Sequence, residues 1–224
     1  MKKIFYLVIL IAIVFGFTEY SRAQQARLNL YSAYNFDDNI EAITNGNNYF
    51  RGTIKGGYQW GAGIEYIARP TYGIELLYHR MDTDFDVSYN TGNDTTKTYG
   101  LGSNFIMLAG NKYFPVPKSI VSLYGGLMLG VAIMTNKDPL PGSESSVTKF
   151  AWGGRAGAEF NFSKNVGLKL HAQLLSAVQS INGGFYLGTG GTGAGLTSES
   201  SMYQFGLGGA LVISFGGNKS KVRR

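Results

Sequence analysis

Apolar residues recur at every second position in eight stretches of the chain between residues 27 and 215. This period of two is typical of a β-strand with one apolar and one polar face. In the seventh stretch, for example, Leu168, Leu170 and Ala172 alternate with Lys169 and His171. After the first 23 residues, no apolar run is long enough for a membrane-spanning helix. The pattern therefore predicts an all-β fold of eight strands.

The connections between the eight predicted strands alternate strictly in length. The short ones lie at 69–71, 115–118 and 163–165, and long polar ones lie near 37–56, 82–98, 135–148 and 177–200. Outer-membrane barrels have tight periplasmic turns, longer external loops and an even number of strands. The sequence thus predicts an eight-stranded antiparallel transmembrane β-barrel with up-and-down topology over residues 24–215.

Aromatic residues concentrate at both ends of the predicted strands, with aliphatic and small residues between them. Two such belts are typical of the girdles at the two membrane interfaces. The expected girdle residues are Trp60, Trp152 and Phe205 at the external ends, and Tyr66, Tyr72, Tyr113, Phe160, Phe162 and Phe215 at the periplasmic ends. The alternative is a soluble lipocalin-like barrel, but its apolar interior would leave the charged residues of the other face unpaired.

The fourth predicted strand, residues 101–114, is apolar on both faces. Its own alternation therefore does not decide which face points outward. We interpret Phe105, Met107, Ala109 and Tyr113 as outward-facing and Lys112 as inward-facing.

The polar faces of the strands predict an ion-paired interior. Eight strands leave a lumen just wide enough for side chains to fill, and an isolated buried charge is costly. If the last short turn is centred on Lys164, Glu159 lies opposite Lys169. If the first short turn is centred on Pro70, Glu65 lies opposite Glu75. The expected interior charge network consists of Arg27, Glu65, Glu75, Lys112, Arg155, Glu159 and Lys169. Adjacent carboxylates also occur in acid–base catalysts, but the flanking cations favour a structural network.

The motifs that suggest other chemistry are incomplete. Asp82, Asp84 and Asp86 have the spacing of a calcium loop, but Val87 stands where that loop needs glycine. The glycine-rich segment 187–195 lacks the lysine and the helix of a phosphate-binding loop. The two histidines lie on different predicted strands, which argues against zinc. We expect no catalytic, cofactor-binding or metal-binding residues and no cofactor.

The first 23 residues predict a signal peptide. Lys2 and Lys3 precede an apolar segment at 4–17, and Ser21 and Ala23 supply the small residues of a cleavage site. An uncleaved anchor is the alternative, but the apolar run is shorter than the roughly 20 residues that a spanning helix needs. The absence of cysteine excludes disulfides, thiol chemistry and a lipidated amino terminus.

The formal charge of +6 belongs to the ends of the chain. The predicted signal peptide contributes +2, and Lys219, Lys221, Arg223 and Arg224 account for the rest, so the predicted barrel is neutral. This distribution argues against a nucleic-acid-binding surface. It predicts a basic periplasmic tail at residues 216–224.

The segment NFIMLAGNKYFPVPKSIVSLYGGLMLG, residues 104–130, resembles the Bacteroidetes set of small outer-membrane barrels, in which a Lys-Tyr-Phe-like triplet precedes a tight turn and a glycine-rich strand. The predicted barrel as a whole resembles the porin-family or outer-membrane β-barrel-domain proteins of the OmpA, OmpX and OmpW type. This resemblance implies a Gram-negative outer-membrane barrel and no defined activity. It also implies that Phe215 is the terminal aromatic residue recognised by the insertion machinery, although nine residues follow it.

Three functions remain open. The first is a structural or surface-interaction barrel whose external loops meet other molecules. The second is a narrow conduit or binder for small or hydrophobic solutes, with a pocket next to the inward-facing residues Gly61, Gly126, Gly130, Gly153, Gly206 and Gly208. The third is a lipid-modifying enzyme. Barrel lipid deacylases carry a serine two residues after a histidine of a strand, and this chain has Met81 and Gln173 at those positions, which disfavours this function.

The predicted location is the cell outer membrane, reached through the signal peptide, with both mature termini in the periplasm. The expected partners are outer-membrane lipid, lipopolysaccharide and the barrel-assembly machinery. An unidentified protein partner at the external loops or the basic tail is a further expectation. No nucleic-acid partner is expected.

Overall fold

The computed structural model describes residues 25–43, 49–69, 71–90, 94–137, 146–178 and 202–216. Their strands are β1 (Gln25–Asn35), β2 (Asp38–Ile43), β3 (Tyr49–Ile54), β4 (Gly57–Arg69), β5 (Tyr72–Asn90), β6 (Asp94–Pro115), β7 (Val121–Asn136), β8 (Ser146–Asn161), β9 (Val166–Val178) and β10 (Met202–Phe215). Over these ranges no helix has the length and apolar character needed to cross a membrane. The expected signal peptide, the glycine-rich segment 187–195 and residues 217–224 of the expected tail lie outside the described residues.

Eight of these strands close into a barrel. In chain order β1, β4, β5, β6, β7, β8, β9 and β10 each pair antiparallel with the next strand, and β10 pairs back with β1. Closure removes the free sheet edges that an open sheet would expose. The predicted eight-stranded up-and-down barrel is confirmed.

The short connections set the register of the strands that they join. Glu159 lies opposite Lys169 in the β8–β9 pair, and Glu65 lies opposite Glu75 in the β4–β5 pair. Both pairings are those obtained by centring the turns. In the middle short turn Lys118 has a φ of 58°, a left-handed conformation that few residues other than glycine adopt.

Two of the four segments expected to be loops contain strands. β2 and β3 form a hairpin within 37–56, while β5 and β6 continue as a pair through 82–98. β3 also pairs with the far part of β5, so these four strands form a sheet beyond the barrel rim. The prediction of loops in these segments is wrong. Their many polar residues obscure an alternation in which Thr83 and Phe85 lie between the three aspartates of β5, and Ile54 of β3 is buried in an apolar cluster against which Phe85 packs.

The side chains of the barrel strands alternate between an apolar outer surface and the interior. On β10, Phe205, Leu207 and Leu211 are exposed, whereas Gln204 and Val212 are buried. The other barrel strands show the same alternation, so large apolar side chains surround the barrel. A continuous exposed apolar surface of this kind is unusual for a water-soluble protein.

The orientation predicted for the fourth strand, which is β6, is wrong. Tyr113, Phe105 and Met107 are buried inside the barrel. Lys112 lies outside, with its Nζ atom 3.6 Å from the ring centroid of Tyr72. Tyr113 is therefore not a girdle residue, and Lys112 is not part of the interior network.

The error has an identifiable physical cause. Both faces of β6 are apolar, so its alternation carries no directional information. The short turn between β6 and β7 does carry that information, because it pairs Tyr113 with Tyr124 and Asn111 with Gly126. Since Gly126 belongs to the predicted inward face of the following strand, centring this turn as well would have oriented β6 correctly.

Candidate functional site in the barrel interior

The half of the interior next to the short turns contains a layer of charged side chains. Six of the seven residues expected in the interior network point into this layer: Arg27, Glu65, Glu75, Arg155, Glu159 and Lys169. All of these are buried except Arg27, which is partly buried. Three cations therefore balance three carboxylates, which limits the cost of removing them from water. We call these six residues the charged layer.

Two ion pairs of the charged layer connect strands that are not neighbours. The Nζ atom of Lys169 lies 2.8 Å from Oε2 of Glu65, and Nη1 of Arg27 lies 3.2 Å from Oε2 of Glu159. The first pair joins β9 to β4, and the second joins β1 to β8, so both cross the lumen. The register placed Glu159 opposite Lys169, but each of them forms its ion pair with a residue elsewhere.

The guanidinium of Arg155 lies at the centre of this layer. It forms an ion pair with Glu75 through Nη2, and both side chains are fully buried. Its Nη1 donates a hydrogen bond to the Tyr31 hydroxyl at 2.7 Å, and Nη2 donates to Oδ1 of Asn111 at 2.9 Å. The planar fork of donors thus holds β8, β5, β1 and β6 together.

The two adjacent carboxylates share neutral donors as well as having separate cations. Asn29 donates to Glu75 at 2.7 Å and to Glu65 at 3.3 Å. Asn111 donates to Glu65 at 2.7 Å and to Glu75 at 3.3 Å, and the Tyr113 hydroxyl donates to Glu65. Buried charges are stabilised when both an opposite charge and hydrogen bonds reach them. This arrangement favours a structural network over an acid–base pair.

Sequence reasoning missed the neutral members of the layer, because it considered only ionisable side chains on each inward face. These neutral residues are Asn29, Tyr31, Asn111, Tyr113 and Tyr124. The rings of Tyr113 and Tyr124 stack with centroids 5.8 Å apart, and Nζ of Lys169 lies 5.4 Å from each centroid. Asn29 and Tyr31 follow Arg27 at intervals of two, a spacing that could have identified them.

A second polar layer lies next to the charged layer. The buried rings of His79 and His171 contact Tyr31 edge-on, with centroids 4.9 and 5.9 Å away. Further along, Nε2 of Gln173 donates to Oε1 of Gln59 at 2.6 Å. Within the described ranges, no group of three or more histidine or carboxylate side chains is placed to hold a metal ion.

The half of the interior next to the long connections is mainly apolar. Phe105, Met107, Met128 and Leu175 are almost completely buried and pack together. They belong to β6, β7 and β9, so this cluster fills the lumen on one side of the barrel. We call these four residues and the buried neighbours with which they pack the apolar cluster.

The inward glycines allow neighbouring strands and side chains to approach closely. At each of the six positions named above, an added Cβ atom would lie within 2.6 Å of another atom. At Gly61 a Cβ would lie 2.5 Å from Cδ2 of His79, and at Gly126 it would lie 2.3 Å from Oδ1 of Asn111. At these two positions a side chain therefore occupies the space where the sequence suggested a pocket.

The other expected girdle residues all lie on the outer surface. Trp60, Tyr66, Tyr72, Phe162, Phe205 and Phe215 are exposed, and Trp152 and Phe160 are partly exposed. Near the long connections, Trp60 packs edge-on against Tyr78 and Trp152 packs edge-on against Tyr203, with centroids 6.0 and 6.3 Å apart. The first contact joins the neighbouring strands β4 and β5, and the second joins β8 to β10 across Ser176 of β9.

The three aspartates with calcium-loop spacing lie on β5 in the sheet beyond the rim. Asp82 forms ion pairs with Arg80 and Lys137 at 2.9 and 3.0 Å. Asp86 forms an ion pair with Lys55 at 2.9 Å. A hydrogen bond from the Thr98 hydroxyl, together with that ion pair, lowers the pKa of Asp86. Cations therefore already neutralise two of these carboxylates, and a strand replaces the turn that a calcium loop requires.

No family model matches the chain, and no curated protein matches it either. Two solved structures have a similar fold. Neisserial surface protein A is 14% identical over 85% of this chain and 99% of its own, with a TM-score of 0.54. The outer membrane protein OprG from Pseudomonas aeruginosa is 14% identical over 87% of this chain and 97% of its own, with a TM-score of 0.55. The chain therefore has the fold of the small outer-membrane β-barrels, as the resemblance in sequence implied.

Proposed function

We propose that this protein is an integral outer-membrane barrel with a sealed interior and no catalytic activity. Its role is structural, or it interacts with other molecules through the segments beyond the barrel rim. The observation that carries this proposal is the combination of an apolar outer surface with an ion-paired layer that crosses the lumen.

The dimensions of the outer surface support the membrane location. Phe205 and Phe215 are outward-facing aromatics near the two ends of β10. The ten residue-to-residue steps between them span about 34 Å along the strand. At a strand tilt of roughly 40°, this corresponds to about 26 Å of height, close to the roughly 25 Å apolar band of outer-membrane barrels. Leu207 and Leu211 are exposed between them, and hydrocarbon would cover them.

The charged layer supports a sealed interior. Arg155, Glu75, Lys169 and Glu65 all have side chains with no exposed surface. An eight-stranded barrel has little room beyond its own side chains, and these ion pairs cross what room there is. Ions therefore have no open route past this layer.

Single-channel recording in planar bilayers tests the sealed interior. The wild-type protein should give no discrete openings. The variant Arg155→Ala removes the largest side chain of the layer and should give small discrete openings, whereas Lys137→Ala, at an exposed ion pair beyond the rim, should not. Heat-modifiable migration on gels must first show that each variant is folded. Discrete openings of the wild-type protein would contradict the proposal.

A narrow conduit for small polar solutes is the second candidate function. It is favoured by the buried ring nitrogens of His79 and by the buried hydroxyl of Ser103, which have no hydrogen-bond partner among the described residues. Buried polar atoms of this kind are commonly satisfied by ordered water. Faster swelling of proteoliposomes in a small sugar than of empty liposomes would favour this function over the sealed barrel.

The partners proposed for this barrel follow from its location. Outer-membrane lipid covers its apolar surface, and the barrel-assembly machinery inserts it. The sheet of β2, β3, β5 and β6 beyond the rim, with Asp82 and Asp86 at exposed ion pairs, offers a polar surface to lipopolysaccharide or to another protein. Outer-membrane fractionation and co-purification from solubilised membranes would test these partners.

A further inference from the structure

The outer surface of the barrel contains a groove of about 980 Å³ across β6, β7, β8 and β9. Its floor consists of the small residues Gly110, Gly125, Gly154, Ala156 and Ala172. On the rest of the barrel surface, large aliphatic and aromatic side chains project outward. The volume lies in the range of sites that hold a single small molecule, roughly 300–1,000 Å³.

The two ends of the groove have different chemistry. Trp152 and Phe205 border the end nearest the long connections, and Lys112 borders the end nearest the short turns. The ammonium of Lys112 lies over the ring of Tyr72, and Arg69 lies opposite Tyr72 in the β4–β5 pair. An apolar trough therefore ends at a group of two cations and a tyrosine.

The charges around this end of the barrel all have the same sign on the outside. Arg69, Lys112, Lys118 and Lys164 lie on or next to the short turns, and the described carboxylates of this half point into the lumen. In the described part of the chain, Lys112 forms no salt bridge with a carboxylate. Its charge is thus available to an anion from outside the protein.

We propose that the groove binds one phospholipid with an anionic headgroup. An acyl chain lies along the floor of small residues, and the phosphate lies beside Lys112 and Arg69. Basic sites next to apolar surfaces recognise anionic lipid headgroups in this way, and the ammonium supplies charge-assisted hydrogen bonds. The proposal rests on the proposed membrane location.

A second copy of the chain is a poorer occupant of the same groove. Two barrels inserted in the same direction would be related by a two-fold axis along the membrane normal. Lys112 of one copy would then face Lys112 of the other at the same depth, and like charges in contact are unfavourable. An anionic lipid has the complementary charge.

The two tryptophans of the chain allow a direct test. Trp152 borders the groove, and Trp60 lies on β4, outside the four groove strands. Gly125 is opposite Lys112, and Leu129, four residues further on, is opposite Trp152, a separation of about 14 Å along the strand. Bromine atoms in the middle of an acyl chain whose phosphate lies at Lys112 would therefore come close to Trp152.

The experiment measures tryptophan quenching in vesicles of phosphatidylcholine that contain equal mole fractions of either brominated phosphatidylglycerol or brominated phosphatidylcholine. In the Trp60→Phe protein, brominated phosphatidylglycerol should quench Trp152 more strongly. In the Trp152→Phe protein, the two lipids should quench Trp60 equally. The excess at Trp152 should disappear in Lys112→Gln and remain in Lys137→Gln, whose substitution lies beyond the other rim.

A second variant tests the trough itself. Gly110→Leu should also abolish the excess, because a Cβ atom at Gly110 would meet no atom within 4 Å and the new side chain would project into the groove. Equal quenching of Trp152 by both lipids would overturn the proposed lipid site but leave the membrane location intact. Quenching of neither tryptophan by either lipid would instead contradict the membrane location. Loss of quenching together with a cross-linked dimer would assign the groove to a second copy.

Discussion

The two halves of the barrel interior fill a lumen of the same strand number with different chemistry. Next to the short turns, three cations and three carboxylates form ion pairs across the lumen. Next to the long connections, methionine, phenylalanine and leucine side chains pack against one another. An ion pair requires one partner in one geometry, whereas an apolar cluster requires mainly the right volume. The two halves should therefore respond differently to substitution.

The charged layer should show the largest effect. Arg155→Ala leaves the buried carboxylate of Glu75 without its cation, and breaking a buried pair in this way typically costs about 3–5 kcal/mol. Urea unfolding in lipid vesicles, followed by gel migration, measures the loss. The exposed pair between Lys137 and Asp82 is the control, because Lys137→Ala should cost at most about 1 kcal/mol. Similar losses for the two variants would remove the distinction between buried and exposed pairs.

The apolar cluster should be sensitive to volume more than to chemical identity. Met128→Ala should cost about 3 kcal/mol, because Met128 is fully buried and the substitution leaves a cavity. Met128→Leu conserves the volume and should cost less than about 1.5 kcal/mol. The same unfolding assay compares the two variants. If Met128→Leu were as destabilising as Met128→Ala, packing volume would not explain the stability of the apolar cluster.

The sheet beyond the rim should show the smallest effect, limited to acidic pH. The pKa of Asp86 is lowered by Thr98 and Lys55 relative to its ordinary value of 3.8. Because the folded-state pKa is lower than the unfolded one, this carboxylate stabilises the sheet at neutral pH, and the contribution is lost as the pH falls through the lowered pKa. Carboxyl-carbon NMR of the folded protein should give a midpoint below 3.8.

A matched variant sharpens this prediction. Lys55→Gln removes the cation and should raise the midpoint of Asp86, whereas the pairs of Asp82 with Arg80 and Lys137 should keep their geometry. A midpoint that does not move in Lys55→Gln would mean that the ion pair between Lys55 and Asp86 is absent in solution.

The turns explain how much of the fold the sequence predicted. The number of barrel strands, their topology and the β4–β5 and β8–β9 registers followed from alternation and from the short connections. A tight turn fixes which residues are opposite each other, and one buried face fixes the phase. β6 lacked the second constraint because both of its faces are apolar, and Lys112 and Tyr113 were assigned to the wrong sides for that reason.

The ion pairs that cross the lumen could not be predicted from the sequence for a different reason. Register determines neighbours within the sheet, but the contacts between Lys169 and Glu65 and between Arg27 and Glu159 depend on how the sheet curls and closes. Curvature is a property of the whole barrel. The hairpin of β2 and β3 was missed because each strand has only six residues, too few for its alternation to be distinguished from the polar residues around it.

The most direct test of the account uses the neighbouring aromatic residues Tyr113 and Phe114. In a background with Trp60→Phe and Trp152→Phe, a single tryptophan is introduced as Tyr113→Trp or as Phe114→Trp, and each protein is inserted into vesicles of brominated phosphatidylcholine. The structure predicts strong quenching at position 114, where the side chain is exposed, and weak quenching at position 113, where it is buried. The reverse order, or equal quenching at both positions, would contradict a barrel with an apolar outside and a charged inside.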